Sequence, residues 1–306
     1  MAILVTGAAG LVGRAAVAAL LRQGVEHVRA VVREPGQVGD LRRLGAKVAL
    51  LDATDPDGLT AAMDGVFTAC SLTGSLWTRP GEDPYSTVVE PARVFLTAAR
   101  TAGVRRVVIC SPAAVTTLTA KDNPYLAAKT EVERMVADSG LEHAILRCTH
   151  VVGPSSRLIA LLGGATRPGR PSGVLHRDPV LVPGDGRQRV APVWVGDVAD
   201  AIAAADDAPE LPATSWSLAG PTELAFDDLV DAINGGPAGK RHLAAGDGEA
   251  PTVPQAGLSE VQLEVLAADS LGDPALPAPP GLVPTPLAEA LARSADGAWP
   301  RVAGRP

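Results

Sequence analysis

The stretch N-P-Y-L-A-A-K, Asn123 to Lys129, sets one of the chain's two tyrosines four positions before a lysine. On a helix those positions share a face, so phenol and ammonium stand together. A phenol titrates near 10 and is a poor base at neutral pH; an adjacent ammonium favours phenolate and suits the pair to general acid–base work. Asn123 is an N-cap residue type and Pro124 fits the first helical position, which would fix Tyr125 at the helix start.

A second constellation, T-G-A-A-G-L-V-G, runs from Thr6 to Gly13. Glycines at 7, 10 and 13 let the backbone turn sharply, approach a pyrophosphate and pack a helix on a sheet, while the helix N-terminus offers free N–H groups. A dinucleotide is the expected ligand. The next apolar run, V-R-A-V-V-R, ends in Arg33 where an NAD site usually carries an acid, and a guanidinium suits the 2′-phosphate of NADP(H), which is therefore preferred over NAD(H). Asp52, in L-L-D-A-T-D, either meets the adenine amino group or caps a helix.

These groups need a scaffold, and the first half of the chain supplies one by alternation. Apolar runs at 3–6, 28–33, 47–51, 66–72, 106–110 and 143–147 read as strands, and the segments 11–22, 41–44, 57–63, 87–102 and 125–139 read as helices. Strands that are apolar throughout imply a parallel sheet covered on both faces, so the expected fold class is α/β, a Rossmann doubly wound sheet. Beyond Gly153 the pattern breaks, with Gly163 to Gly186 rich in Gly, Pro and Arg, before a strand-helix unit at 193–205, a strand in W-S-L-A-G, helices at 226–233 and 286–294, and one amphipathic segment, 259–268, among dense prolines. The expected division is a Rossmann domain over 1–153, with 190–206 returning to it, and a smaller α/β substrate lobe built from 154–189 and 207–306.

Composition removes several alternatives. With 46% hydrophobic and 20% charged residues the chain has a globular balance, and a net charge of -7 without a basic run argues against nucleic acid as partner. The apolar opening lacks a basic n-region and is interrupted by Arg14, and no uninterrupted apolar window reaches membrane-spanning length. Cys70, Cys110 and Cys148, odd in number and each in a strand-like run, fit reduced buried thiols in a cytoplasmic protein better than disulfides or a metal cage.

With the glycine loop, Asp52 and the Tyr-Lys pair together, the chain resembles the short-chain dehydrogenase/reductase superfamily, in its extended and atypical, NmrA-like branches. I-L-R-C-T-H-V-V-G-P (145–154), G-D-G-R-Q-R-V-A-P-V-W-V-G-D-V-A-D-A-I (184–202), S-L-A-G-P-T-E-L-A-F-D-D-L (217–229) and T-P-L-A-E-A-L (285–291) are similar to that group's later segments, in the same order. The resemblance implies that Tyr125 is the general acid/base, that Lys129 holds the nicotinamide ribose and lowers the phenol's pKa, and that a hydroxyl after the fifth strand orients the carbonyl. It also implies cofactor contacts from Thr6, Gly7, Gly10, Leu11, Val12, Gly13, Arg33, Asp52, Ala53, Ser71, Leu72, Lys129 and Cys148. The usual hydroxyl position falls on Pro112, leaving Ser111, one residue early, or Thr116 or Thr117. The expected asparagine before the fourth long helix is Val88, and the arginine that nucleotide-sugar enzymes use falls on Val190, which disfavours nucleotide-sugar epimerisation.

The substrate expected is a small molecule. His150 either projects into its cleft or, the preferred reading, packs as a strand end; Trp77 and Trp194 line a cavity or pack in the core. Arg157, Arg167, Arg170, Arg177, Arg187 and Arg189 read as a solvated loop face or as a greeting for an anionic substrate. The leading expectation is an NADP(H)-dependent oxidoreductase acting on a ketone or alcohol. The alternatives are an NmrA-like dinucleotide sensor without turnover and a non-redox isomerase, cyclase or dehydratase.

Overall fold

The short apolar runs become one parallel sheet. The computed structural model describes residues 1–77, 82–116, 122–163, 179–212, 214–243 and 258–297. Its first half strings β1 (Ala2–Thr6), α1 (Leu11–Arg22), β2 (His27–Val32), α2 (Val38–Leu44), β3 (Lys47–Leu50), α3 (Pro56–Ala62) and β4 (Val66–Ser71), then α4 (Glu90–Thr101), β5 (Arg106–Pro112), α5 (Pro124–Ala137) and β6 (Glu142–Cys148). The second half adds β7 (Val151–Val152), α6 (Arg157–Leu162), β8 (Val180–Pro183), β9 (Arg189–Val190), β10 (Val193–Trp194), α7 (Val195–Asp207) and β11 (Thr214–Leu218). It closes with β12 (Leu224–Ala225), α8 (Phe226–Asn234), β13 (Lys240–Leu243), α9 (Glu260–Ala267) and α10 (Leu287–Ala295).

The seven-stranded sheet has the order β11-β6-β5-β4-β1-β2-β3, and every pairing in it is parallel. This is the Rossmann order extended by one strand. Thr214–Leu218, expected within the smaller lobe, is that strand, in register with Ala144–Cys148 of β6. Three two-stranded ribbons, β7 with β10, β8 with β13 and β9 with β12, build the rest.

Because helices cover both faces, strand side chains are buried in both directions. Val5, Ala30 and Leu146 pack with Ala16, Leu20 and Ile202 on one face, whereas Leu4, Val107 and Ile145 pack with Phe95, Leu126 and Val132 on the other. Each fully buried Leu or Phe contributes about 1.5–3 kcal/mol. A third cluster joins Leu158 and Leu162 of α6, Phe226, Leu229 and Val230 of α8 and Leu266 of α9, and forms the interior of the smaller lobe. Among the described residues no helix is long and apolar enough to cross a membrane.

The fourth long helix differs from its expectation. Instead of a continuous helix over 87–102, a wider π turn at Tyr85–Val89 leads into α4. Pro91 explains the widening, because its ring would strike the carbonyl four residues back and it has no N–H to offer. Arg106, fully buried on β5, is neutralised by Glu142 at 2.8 Å and by the carbonyls of Ala205 and Asp206 at 2.7 and 2.9 Å, which ties β5 and β6 to the end of α7.

Candidate functional site

The glycine loop lies between the end of β1 and the start of α1, at the point where the strand order reverses and where open α/β sheets take their ligands. Thr6 Oγ1 donates to the Cys70 carbonyl at 3.3 Å, fastening β1 to β4 beneath the loop. Gly7 sits in the left-handed region at φ 66°, and a Cβ there would meet the Leu72 carbonyl oxygen at 2.5 Å. A Cβ on Gly13 would lie 2.2 Å from the Gly7 oxygen, so the helix can approach the loop only without a side chain. Gly10 is the N-cap of α1 and no side chain caps it. The first-turn N–H groups therefore face outward unpaired by the helix, the arrangement that receives a pyrophosphate.

Gly10, Leu11, Val12 and Gly13 form one side of a cavity of about 440 Å³. Leu72, Trp77, Ser111, Tyr125, Lys129, Cys148 and His150 also line it. The elements explain the convergence. Asn123 caps α5, its Oδ1 accepting the N–H groups of Tyr125 and Leu126 at 3.1 and 3.2 Å, while its Nδ2 donates to the Val261 carbonyl at 3.2 Å and to Glu264 at 2.8 Å on α9. Tyr125 thus begins the helix, and Lys129 follows one turn later with Nζ 5.9 Å from the phenol ring's centre. The ammonium donates at 3.4 Å to the carbonyls of Thr73 and Cys110. β5 runs on through Pro112, which carries Ser111 into the buried end of the sheet with its Oγ unpartnered. Pro112 also lines the cavity but brings no hydroxyl.

Burial governs the electrostatics. It pushes the Tyr125 phenol well above its ordinary value, with a small further rise from Cys110, so the hydroxyl is a neutral donor at physiological pH. Burial thus opposes the phenolate that the lysine's neighbourhood would favour. Among the described residues the hydroxyl has no hydrogen-bond partner. Burial brings Lys129 down from 10.5 to about 8, against the opposing pull of Cys110 and Glu133. His150 falls to about 4 for the same reason and is neutral; its Nε2 has no partner and its ring meets Phe226 edge-on at 6.0 Å. It is both a packed residue and a cavity wall. The Cys148 thiol is raised by its hydrogen bond with Cys110 and by burial, and all three cysteines are free.

Six of the expected cofactor residues do not line this cavity: Thr6, Gly7, Arg33, Asp52, Ala53 and Ser71. All lie along the same carboxyl edge of the sheet. Arg33 directly follows β2, is 69% exposed and reaches Glu34 at 3.8 Å. Asp52 accepts from the N–H and hydroxyl of Thr54 at 2.9 and 2.6 Å, and these bonds, helped by the Arg33 charge, hold its carboxyl below the usual range. The N-cap of α3 is Asp55, which accepts from Gly58 at 3.0 Å, so Asp52 closes a turn and caps no helix. Ser71 Oγ pairs with Thr73 Oγ1 at 3.2 Å. Trp194 is a core residue beneath α10. Arg187 and Arg189 sit on the ribbon of β9, where Arg189 pairs with Glu223 at 3.0 Å. Thr116 Oγ1 bonds back to the Ala113 carbonyl at 3.0 Å, while Thr117, Arg167, Arg170 and Arg177 lie outside the described residues. Sequence reasoning missed Gly74, Leu76, Ser155, Val265, Leu266 and Ser270, which also wall the cavity. The amphipathic segment at 259–268 was the available signal for two of them.

A family model described as NAD(P)H-binding matches residues 7–174, more than half of the chain. The chain belongs to the NAD(P)H-binding family. Its solved neighbours include the NADPH-dependent quinone oxidoreductase QOR2 of Escherichia coli in complex with NADPH, 24% identical with a TM-score of 0.70 over 95% of this chain and 98% of that one. The triphenylmethane reductase of Citrobacter sp. complexed with NADP(H) gives 18% identity and a TM-score of 0.70 over 96% and 100%. Among curated proteins, the photosystem II assembly factor Ycf39 of Cyanophora paradoxa is 27% identical over 147 residues, 48% of this chain and 44% of that protein. The matched part spans less than half the length of the curated relatives. The solved neighbours share the fold expected from the sequence, and the Gly7 and Gly13 contacts of this NAD(P)H-binding protein fit a dinucleotide's approach.

Proposed function

We propose that the protein is an NADP(H)-dependent oxidoreductase that interconverts a ketone and an alcohol on a small substrate. One observation carries this reading: the glycine cradle opens on the same cavity as Tyr125, Lys129 and the unpartnered Ser111 hydroxyl. Bound along the cradle, the nicotinamide would supply or accept a hydride. The loop's N–H groups would hold its pyrophosphate, and exposed Arg33 would meet a 2′-phosphate with a bidentate fork. Ser111 Oγ would donate to a carbonyl oxygen and Tyr125 would give that oxygen its proton. A phenol kept neutral by burial favours donation over abstraction, which supports carbonyl reduction as the working direction. Lys129, charged below about pH 8, would add positive potential beside the oxygen that becomes negative.

Tyr125→Phe tests this assignment. It keeps the ring and removes the proton, and turnover of a carbonyl substrate, followed by NADPH absorbance, is expected to fall roughly 10²- to 10⁴-fold with NADPH affinity unchanged. Unchanged turnover would refute the role. A second reading, a dinucleotide sensor without turnover, draws on Val88 and Pro112 at positions where catalytic relatives carry functional groups. Enzyme-dependent NADPH oxidation across a carbonyl library would exclude it.

A further inference from the structure

Lys129 and Arg157 are the charged residues among the cavity's walls, and no aspartate or glutamate among the described residues lines it. The two cations differ in setting. Lys129 is buried beside Tyr125 and satisfied by backbone carbonyls, whereas Arg157 opens α6 at the solvent-facing rim. One donor of Arg157, Nη1, bonds the Trp77 carbonyl at 3.1 Å, and its guanidinium carbon lies 5.7 Å from the centre of the Trp77 ring. Stacking and a backbone bond fix the plane of the group and leave most of its five N–H donors free. Among the described residues no carboxylate pairs with it. Arg14, Arg22, Arg93, Arg105, Arg134 and Arg189 each have an acidic partner, whereas Arg29 and Arg100 donate to backbone carbonyls outside the cavity, so Arg157 is the arginine in the cavity's lining with donors to spare.

The approach to Arg157 is also held in place. Gly153 admits no side chain, since a Cβ would lie 2.5 Å from Val195 Cγ1, and Ser155 adopts a left-handed φ of 65° that a residue with a side chain rarely takes. The lining that Arg157 shares with Tyr125 includes the apolar Leu76, Leu158, Val265 and Leu266 and the neutral His150, with hydroxyls from Ser111, Thr149 and Ser270 among its polar members.

The geometry points to a substrate with an apolar, aromatic body and an oxyanion, a carboxylate or its chemical equivalent, at the end opposite its carbonyl, read by Arg157. This rests on the oxidoreductase reading for the placement of the carbonyl. The oxyanion would take a bidentate, charge-assisted contact from the pre-oriented guanidinium, and Trp77 would flank the ring that carries it. Arg157 is thus a specificity residue and transfers no proton.

The test is calorimetric binding of two probes, 4-acetylbenzoate and acetophenone, to the protein loaded with NADP⁺. The wild type should prefer the acetylbenzoate by roughly tenfold or more, as expected for hydrogen bonds to a charged group. Arg157→Gln should abolish that preference and leave acetophenone affinity within about twofold, and Arg157→Lys should restore part of it, because charge returns without the fork. Equal affinities in the wild type, a preference that survives Arg157→Gln, or no binding of either probe would overturn the inference. Turnover separates the two readings. If Tyr125→Phe keeps full activity while Arg157→Gln loses the anion preference, the acid–base assignment fails and anion recognition stands; the reverse pair of results leaves the oxidoreductase and removes the anion.

Discussion

Lowering the pH should weaken this fold through one imidazole. His150 packs edge-on against Phe226 in the cavity wall and its Nε2 has no partner among the described residues, so burial takes its pKa from 6.5 to about 4. The unfolded chain, with its histidine near 6.5, binds more protons than the folded one throughout that interval. The free energy of unfolding must therefore decline as pH falls from about 6.5 to about 4, and this contribution is fully present above 6.5. At about 1.4 kcal/mol per tenfold change, His150 accounts for about 3 kcal/mol by pH 4, a substantial part of the 5–15 kcal/mol typical of a folded domain. Urea unfolding of the wild type and His150→Gln at several pH values from 7.5 to 4 measures it. Carboxylates titrate in both proteins and cancel in the comparison, so the two stability curves should converge by about that amount on acidification. Parallel curves, or an imidazole proton resonance titrating near 6.5 in the folded protein, would refute the reasoning.

Three further outcomes follow from the same geometry. Arg33→Ala should weaken NADPH binding roughly 10- to 100-fold while leaving NADH within about twofold, and equal losses for both would assign Arg33 no part in cofactor choice. Gly13→Ala places a methyl 2.2 Å from the Gly7 oxygen, so it should abolish dinucleotide binding and lower the melting temperature, whereas unaltered affinity would show that the cradle does not hold the pyrophosphate. Lys129 is charged below about pH 8 and neutral above it, so kcat/KM for carbonyl reduction should drop as pH rises through that value, with the descending limb missing from Lys129→Met.

The dinucleotide-binding half was largely readable, and the reasons are local. α1 was expected at 11–22 and is Leu11–Arg22, because a helix opened by glycine and closed at Gly24 declares both ends. The strands were legible since a strand buried on both faces leaves an uninterrupted apolar run. β7, β9 and β12 were not, as two residues carry no periodicity. The capped start of α5 at Asn123 also followed from residue types alone. What sequence did not disclose was direction. That Ser111 reaches the cavity beside Pro112 depends on how far β5 extends, and whether His150 packs or projects depends on Phe226, seventy-six residues away. The burial of Tyr125 was hidden for a related reason: a neighbouring ammonium can be read from spacing, but the depth at which the phenol is enclosed is set by the whole lobe.

Asn123 adds polar bonds to two helices that already share a buried cluster, since Val265 of α9 packs with Tyr125 and Leu126. The amide oxygen that starts the helix of Tyr125 and Lys129 belongs to the side chain whose nitrogen grips α9, and α9 supplies Val265 and Leu266 to the same cavity. The first turn of α5, with Tyr125, is therefore latched to α9. A molecule that pries α9 outward must strain the first turn of α5, and one that settles against Val265 and Leu266 braces the phenol in the same movement.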